Sequence, residues 1–285
     1  MKIAAIVSKP EKPELEELVP RVLRWFQEHG YERVWLDRET AAYLPAAEAV
    51  ERDELAGKKP EFVLVLGGDG TLLSAARAVA LANIPILGVN LGSLGFLTEV
   101  PLDELWETLE AVDQHRCAHE TRNMLNCRLM RDGKMVANYD SLNDAVVNKS
   151  AISRLVSFDL YLDTVFVSNY KADGVIISTP TGSTAYALAA GGPILMPSVD
   201  AMVIVPVCPH SLTHRPLVVK DTVEIEIVVK SAGEEAYLSI DGQVGVPLAD
   251  EDRVVCHKSA YHTTLLRMRK TFFDVLRNKL KMGIR

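Results

Sequence analysis

Residues 67–71 read Gly-Gly-Asp-Gly-Thr, directly after the apolar run Phe62–Leu66 and before a stretch rich in alanine and leucine. A strand that runs into glycines and then a helix leaves backbone N–H groups and the positive end of a helix dipole at the turn, which is an anion site by geometry. A carboxylate there makes sense if it faces a different party from the anion. Phosphoryl transfer provides that division, because it asks the protein for positioning, charge neutralisation and help with the acceptor's proton. Gly67, Gly68 and Gly70 let backbone N–H groups approach the donor phosphates, and Thr71 adds a hydroxyl. Asp69 then orients or deprotonates an acceptor hydroxyl, or holds Mg²⁺ directly or through water. Two common phosphate loops are excluded. From Gly68, the third glycine of the dinucleotide fingerprint falls on Leu73, and no lysine follows the glycines as a Walker A loop requires. A purely structural alternative stays open at this point, in which the turn is merely tight and Asp69 caps a helix beginning near Thr71.

A second polar stretch, residues 173–193, sets Ser178, Thr179, Thr181, Ser183 and Thr184 around Gly182 and closes on Tyr186. Hydroxyls beside glycine suit ribose and phosphate oxygens, and Tyr186 offers a flat face to a base or nicotinamide ring. The alternative is a serine- and threonine-rich loop that caps a helix starting near Ala185.

The surrounding pattern says what must hold these stretches. Short apolar runs at 2–7, 33–36, 62–66 and 84–89 read as strands buried on both faces. Between them, residues 14–29 place Leu15, Leu18, Val22 and Phe26 on one helical face, with Pro20 kinking that helix or marking its real start. Residues 71–82 and 102–112 are also helical in pattern. Such alternation predicts an α/β domain with a parallel sheet over residues 1–118. After residue 118 the pattern changes to period-two alternation, with a hairpin signal at Asp132-Gly133, so residues 119–265 read as a mainly β domain. Residues 266–285 turn helical again, with Phe273, Leu276 and Leu280 on one face. Residues 267–285 hold seven Lys/Arg against one Asp, a helix expected to dock back on an acidic body.

The net charge of −7 over 285 residues gives no general basis for binding nucleic acid. No apolar run approaches the roughly 20 residues that cross a bilayer, so no membrane partner is expected and a cytoplasmic location is. Cys117, Cys127, Cys208 and Cys256 form no C-x-x-C pair and read as reduced thiols. His210 and His214 lack a third ligand at sensible spacing and read as packing residues, while His115 and His119 read as surface residues. No residue is assigned to a protein-held metal.

Six motifs occur in one order: GGDGT (67–71), LND (142–144), ADGVIISTPTGSTAY (172–186), GGPI (191–194), CPHSLTHRP (208–216) and SIDGQ (239–243). In that order they resemble bacterial NAD kinases over nearly the whole chain. The glycine turn alone is shared with lipid kinases and, more loosely, with 6-phosphofructokinases. The resemblance implies an NAD kinase/diacylglycerol kinase-like fold, an α/β N-terminal domain and a mainly β C-terminal domain with NAD in the crevice between them, and a C-terminal helix returning to the first domain. It implies transfer of a phosphoryl group from ATP, another nucleoside triphosphate or polyphosphate, with Mg²⁺ or another divalent cation, to the 2′-hydroxyl of the adenosine ribose. Carried over by position, Asp69 is the proton acceptor, and Asp69 and Gly70 face the NAD ribose. Phe96 lines the adenine side, and Asn143 and Asp144 meet ribose hydroxyls. Asp173 contacts the nicotinamide end, and Thr181, Thr184, Ala185, Tyr186 and Ala189 belong to the stretch that wraps the dinucleotide. Arg154, Lys171 and Gln243 align with further contacts, some of which can involve a neighbouring subunit of a homodimer or homotetramer.

Three positions depart from the family. Asp144 is one methylene shorter than the usual glutamate, Lys171 stands for arginine without its forked contacts, and Ala189 stands for serine. These departures predict altered affinity or donor choice with activity retained. The competing readings are a soluble lipid or sugar kinase, for which the second polar stretch has no clear use, and a non-catalytic NAD(P)-binding regulator, for which Asp69 has none.

Overall fold

In the computed structural model, which describes residues 2–44, 47–150, 156–268 and 271–281, the apolar runs of the N-terminal third become a parallel sheet. Its strands are β1 (Lys2–Ser8), β2 (Tyr31–Asp37), β3 (Ala49–Val50), β4 (Phe62–Gly67) and β5 (Ile86–Asn90), in the order β3-β2-β1-β4-β5. A short strand β6 (Val100–Pro101) pairs in parallel with β5. The helices are α1 (Glu14–Glu28), the one-turn α2 (Arg38–Ala41) and α3 (Leu55–Lys58), α4 (Asp69–Val79) and α5 (Leu105–Asp113). Ile3–Val7 of β1 and Phe62–Leu66 of β4 are apolar throughout, as strands covered by helices on both faces of a sheet are. α1 buries Leu15, Leu18, Val22 and Phe26, the face its sequence period marks. It begins at Glu14, so Pro20 lies inside the helix and does not start it.

The chain divides into two units, residues 1–121 with 262–285, and residues 122–261. The divisions fall inside long strands, β7 (Ala118–Arg131) and β18 (Arg253–Arg267), and so differ by a few residues from those read in the sequence. In the first unit, Leu265 near the end of β18 pairs in parallel with Ile86, on the side of β5 away from β4. The helix α7 (Phe272–Leu280) follows, opened by a capping box between Thr271 and Asp274. Its buried residues are Val275 and Leu276, whereas Phe273 is 47% exposed. The apolar face therefore starts from Phe272 and runs through Val275 and Leu276, one position off the face expected from Phe273 and Leu280.

The second unit is almost entirely β. β7 and β8 (Lys134–Ser141) form a hairpin whose two turn residues, Asp132 and Gly133, have φ of +50° and +73°. β9 (Asp144–Lys149), β12 (Gly174–Ser178), β13 (Ala201–Val207), β14 (Leu217–Lys220), β16 (Ala236–Ile240) and β17 (Val244–Leu248) make an antiparallel sheet in the order β14-β13-β12-β9-β16-β17. β10 (Val156–Leu162) lies between β11 (Val165–Ala172) and β15 (Ile225–Lys230), and β15 pairs with the start of β18. Alternate residues of these strands, among them Leu125, Val147, Phe158, Val175, Ile227 and Leu238, fill one core. Among the described residues of this unit, a 3-10 turn (Gly182–Thr184) and the one-turn helix α6 (Tyr186–Ala189) interrupt the strands. No helix among the described residues is long and apolar enough to cross a membrane.

Candidate functional site

β4 ends on Gly67, Gly68 takes an extended conformation as helix cap, and α4 starts at Asp69. No side chain caps the helix, so Asp69 is its first residue, and the reading in which Asp69 caps a helix starting near Thr71 fails. The Asp69 carboxylate turns to the loop that follows β5. Its Oδ1 accepts from the N–H groups of Leu97 (3.0 Å) and Thr98 (2.9 Å) and from the Thr98 hydroxyl (3.0 Å). Its Oδ2 accepts from the N–H of Phe96 at 2.8 Å. Oδ1 is thus saturated, and Oδ2 keeps a lone pair for a further donor. The Lys279 ammonium of α7 lies 3.9 Å from Oδ2 and 5.0 Å from the centre of the Phe96 ring. The Asp69 side chain remains 28% exposed.

The loop approaches this closely because residue 95 has no side chain. A Cβ on Gly95 would lie 2.0 Å from Asp69 Oδ1 and 2.4 Å from the Thr98 hydroxyl. Asn90, buried at the end of β5, fixes both ends of the loop. Its amide donates to the Ser93 carbonyl (2.6 Å) and the Thr98 hydroxyl (3.0 Å), and its carbonyl oxygen accepts from the N–H of Gly92 (2.6 Å). Arg267, at the end of β18, pairs with buried Glu99 and with Glu120 (2.8 Å), and lies 3.5 Å from the Phe96 carbonyl. Gly67 and Gly68 serve different ends. A Cβ at Gly67 would meet the Thr71 hydroxyl at 2.5 Å, whereas one at Gly68 would meet nothing within 4 Å. Space for a ligand therefore opens at Gly68, and Gly70 beside it is exposed.

In the second unit the segment 142–144 is gripped from both sides. Asp241, with φ of +51° in the turn after β16, accepts from the N–H groups of Leu142 (3.2 Å), Asn143 (2.8 Å) and Asp144 (3.2 Å). Its own N–H donates to the Asp144 carbonyl at 3.0 Å. From the other side, the Thr179 hydroxyl donates to the Leu142 carbonyl at 2.6 Å and the Thr179 N–H to the Asn143 carbonyl at 2.9 Å. Gly182 packs so closely that a Cβ there would lie 2.1 Å from the Asn143 carbonyl oxygen. Asn143 is half-buried and Asp144 is 4% exposed. Burial, and after it the charge of Asp241, pushes the Asp144 carboxyl up from 3.8 to about 7.

The hydroxyls of the 178–184 stretch do less for a ligand than their number implies. Ser178 donates to the Asn143 carbonyl, Ser183 to the Pro180 carbonyl and Thr184 to the Thr181 carbonyl. Ser178, Thr179 and Ser183 are buried and build the turn, which favours the loop alternative over ligand contact for these three. Thr181 is buried too, its hydroxyl 3.4 Å from Arg122. Thr184 and Ala185 are half-buried, while Tyr186 and Ala189 are exposed, so the surface of this stretch is the 184–189 end. Asp173 lies 3.7 Å from Lys149. Lys171 on β11 and Gln243 in the turn beside Asp241 are exposed, and Arg154 lies outside the described residues. Phe96 is half-buried. His214 packs on Tyr170 at 4.6 Å between ring centres, but His210 is exposed and does not pack as expected. Among the described residues no group of three or more His, Cys, Asp or Glu could hold a metal ion.

Gly67, Gly68, Asp69, Gly70, Thr71 and Phe96 thus form one cluster in the first unit, and Asn143, Asp144 and Thr181 form part of another in the second. Sequence reasoning missed Asn90, Gly95, Thr98, Arg267 and Lys279, which hold or face Asp69. The Gly-x-x-Gly-Phe spacing at 92–96 was a usable signal, and the basic segment 267–285, expected to dock on an acidic body, was one for Arg267 and Lys279 though not for their particular partners.

The ATP-NAD kinase N-terminal domain family matches residues 4–117, and the ATP-NAD kinase C-terminal domain family matches residues 142–268. The chain is 60% identical over 285 residues to an NAD kinase of Koribacter versatilis and 52% identical over 286 residues to one of Acidobacterium capsulatum, each match covering 100% of both chains. Among solved structures it is similar to yeast NADH kinase complexed with NADH, with a TM-score of 0.86 and 26% identity over 99% of this chain and 87% of that one. It is also similar to an NAD kinase from Archaeoglobus fulgidus in complex with ATP, with a TM-score of 0.77 and 25% identity over 99% and 100% of the two chains.

Proposed function

Because the chain belongs to the NAD kinase family, we propose that it transfers the terminal phosphoryl group of ATP to the 2′-hydroxyl of the adenosine ribose of NAD, forming NADP. The observation that carries the mechanism is the Asp69 carboxylate, immobilised through three donors on Oδ1 while Oδ2 keeps a lone pair. Asp69 Oδ2 accepts the proton of the 2′-hydroxyl as the ribose oxygen bonds to the γ-phosphorus. The bond from that phosphorus to the β,γ-bridging oxygen breaks, and ADP leaves with the bonding electrons. Fixing Asp69 before substrate arrives spares the reaction the cost of ordering it. Gly68 and Gly70 leave room for the donor phosphates beside the start of α4, whose N-terminal end favours negative charge.

Asn143 and Asp144 are the ribose-hydroxyl contacts in this reading, Phe96 lines the adenine side and Asp173 meets the nicotinamide end. Thr184, Ala185, Tyr186 and Ala189 contact the dinucleotide, with Lys171, Gln243 and Arg154 as outer contacts. The divalent cation, Mg²⁺, arrives on the donor phosphates. The donor set fits this: one carboxylate at the glycine turn and no cluster of ligands among the described residues suit an ion held mainly by phosphate and water. Such an ion neutralises charge on the transferring phosphoryl group. The working protein is a homodimer or homotetramer; edge strand β11 exposes Val165, Phe166 and Val167, the kind of apolar edge that a second copy covers.

The test is purified protein with Mg²⁺, ATP and NAD, with NADP followed by an NADP-specific dehydrogenase. NADP formation that requires NAD and a phosphoryl donor is expected. Folded protein that makes no NADP with any triphosphate or polyphosphate overturns the reading.

A further inference from the structure

Beside the Gly67-Gly68 turn lies a cavity of about 160 Å³, lined by Lys9, Lys12, Gly67, Gly68 and the segment Asn90–Ser93. It stands where β1, β4 and β5 end, the edge of a parallel sheet at which α/β proteins bind ligands. The two lysines are carried there by a built turn. The Lys9 N–H donates to the Leu66 carbonyl at 2.9 Å, tying the turn to the last residues of β4. Tyr43 closes it, its hydroxyl accepting from the Lys12 N–H and donating to the Lys9 carbonyl, both at 2.9 Å. Glu11 between them takes φ of +56°, so the turn is held in a shape that an unconstrained chain avoids.

The charges in this cavity are unbalanced in one direction. Lys12 has one acidic neighbour, Glu14, with nitrogen and oxygen 3.6 Å apart. The Lys9 ammonium has no hydrogen bond or ion pair among the described residues. Glu11 and Glu14 stand in the same turn, but no carboxylate lines the cavity, whose charged lining is the two lysines; in a chain of net charge −7 this makes a local anion trap. The remaining lining is glycine, Asn90, Ser93 and Leu91, with no aromatic face for a base. A cavity of this volume holds several waters, and its lining of lysine ammoniums, glycines and small polar side chains suits a short run of phosphate.

We propose that Lys9 and Lys12 form the subsite for the phosphates of the donor that are not transferred, and that the donor is gripped there by its polyphosphate chain. This assignment rests on the kinase reading and extends it to residues outside the glycine turn. Affinity for the donor then comes from phosphate charge, and the base contributes little at this cavity.

The double variant Lys9→Gln/Lys12→Gln tests it in the full chain, with the melting temperature checked against the parent. The expected result is a donor KM raised about tenfold for each ammonium removed, with the NAD KM unchanged. Titration calorimetry with inorganic tripolyphosphate reads the subsite without turnover. Tripolyphosphate should bind the parent, compete with ATP, and lose at least tenfold in affinity in the double variant. A folded double variant with parental donor KM and parental tripolyphosphate binding overturns the subsite, as does a parent that binds no tripolyphosphate. Absence of NADP formation by the parent would instead count against the kinase reading, and the calorimetric titration would still decide the subsite. If the variant melts early, Lys9→Gln alone, which removes only an exposed side chain, carries the same comparison with a tenfold effect.

Discussion

Asp69 and Asp144 are both carboxylates at the first residue of an element, and their surroundings are opposite. Asp69 is 28% exposed and meets four hydrogen-bond donors from one loop, with a lysine beyond. Asp144 is 4% exposed and stands beside a second carboxylate, Asp241, whose acceptors are spent on the backbone N–H groups of 142–144. The first environment holds a carboxylate in one place and leaves one oxygen available. The second isolates a carboxyl from water and raises its pKa to about 7, so its charge changes near neutral pH. Under the proposed function, one residue type serves as a fixed base in one unit and as a titratable binding group in the other.

The sharpest way to break this comparison is Asp69→Asn, which keeps size and removes the base. Turnover should fall on the order of 10²–10⁴-fold while NAD affinity measured by calorimetry stays within a few-fold. Equal losses in both would make Asp69 a binding residue like Asp144.

Asp241→Ala comes next. It removes the acceptor for the N–H groups of Leu142, Asn143 and Asp144, and leaving such buried groups without a partner costs about 1–3 kcal/mol. Denaturant melts should show that loss, together with weaker NAD binding. Unchanged stability would mean that the segment 142–144 is held by Thr179 and Gly182 alone.

The smallest effect is the pH dependence owed to Asp144. Its folded pKa of about 7 lies above the unfolded value of 3.8, so the native state binds more protons between those values. Stability from this group is fully present below the unfolded pKa and is lost as pH rises through the folded one. Asp144→Asn should flatten the Tm–pH curve by several degrees between about pH 4 and about pH 7, at roughly 2–4 °C per kcal/mol for a protein of this size. NAD binding should run the other way, strengthening as pH rises through about 7 because ionised Asp144 accepts from ribose hydroxyls. A parallel curve for the parent and Asp144→Asn would remove Asp144 from both roles.

The first sheet is legible in the sequence because its strands are buried on both faces and separated by amphipathic helices, a pattern that leaves little choice of architecture. Asp69 is legible because a carboxylate contradicts the phosphate turn around it. Its partners are less so: the glycine spacing at 92–96 marks a tight loop, but which N–H groups and which hydroxyl of 96–98 reach Asp69 is defined only by the folded loop. The serine and threonine hydroxyls were ambiguous for a related reason: a hydroxyl suits a ligand and a neighbouring carbonyl equally well, and at Ser178, Thr179 and Ser183 it is a carbonyl that accepts. Phe273 was misplaced because two helical faces share Leu276, and packing rather than periodicity chooses between them.

The first unit is discontinuous along the chain, and that has a consequence for the order in which the protein assembles. Ile86 pairs with Leu265, and Glu99 and Glu120 pair with Arg267. A ribosome makes residues 122–261 after Ile86, Glu99 and Glu120 but before their partners, Leu265 and Arg267, exist. The contiguous second unit therefore has all its strands in hand while the side of β5 away from β4 still waits, and closing a long loop is the slow step in folding. The unit whose sequence comes first, and which carries Asp69, is the last to have all its parts.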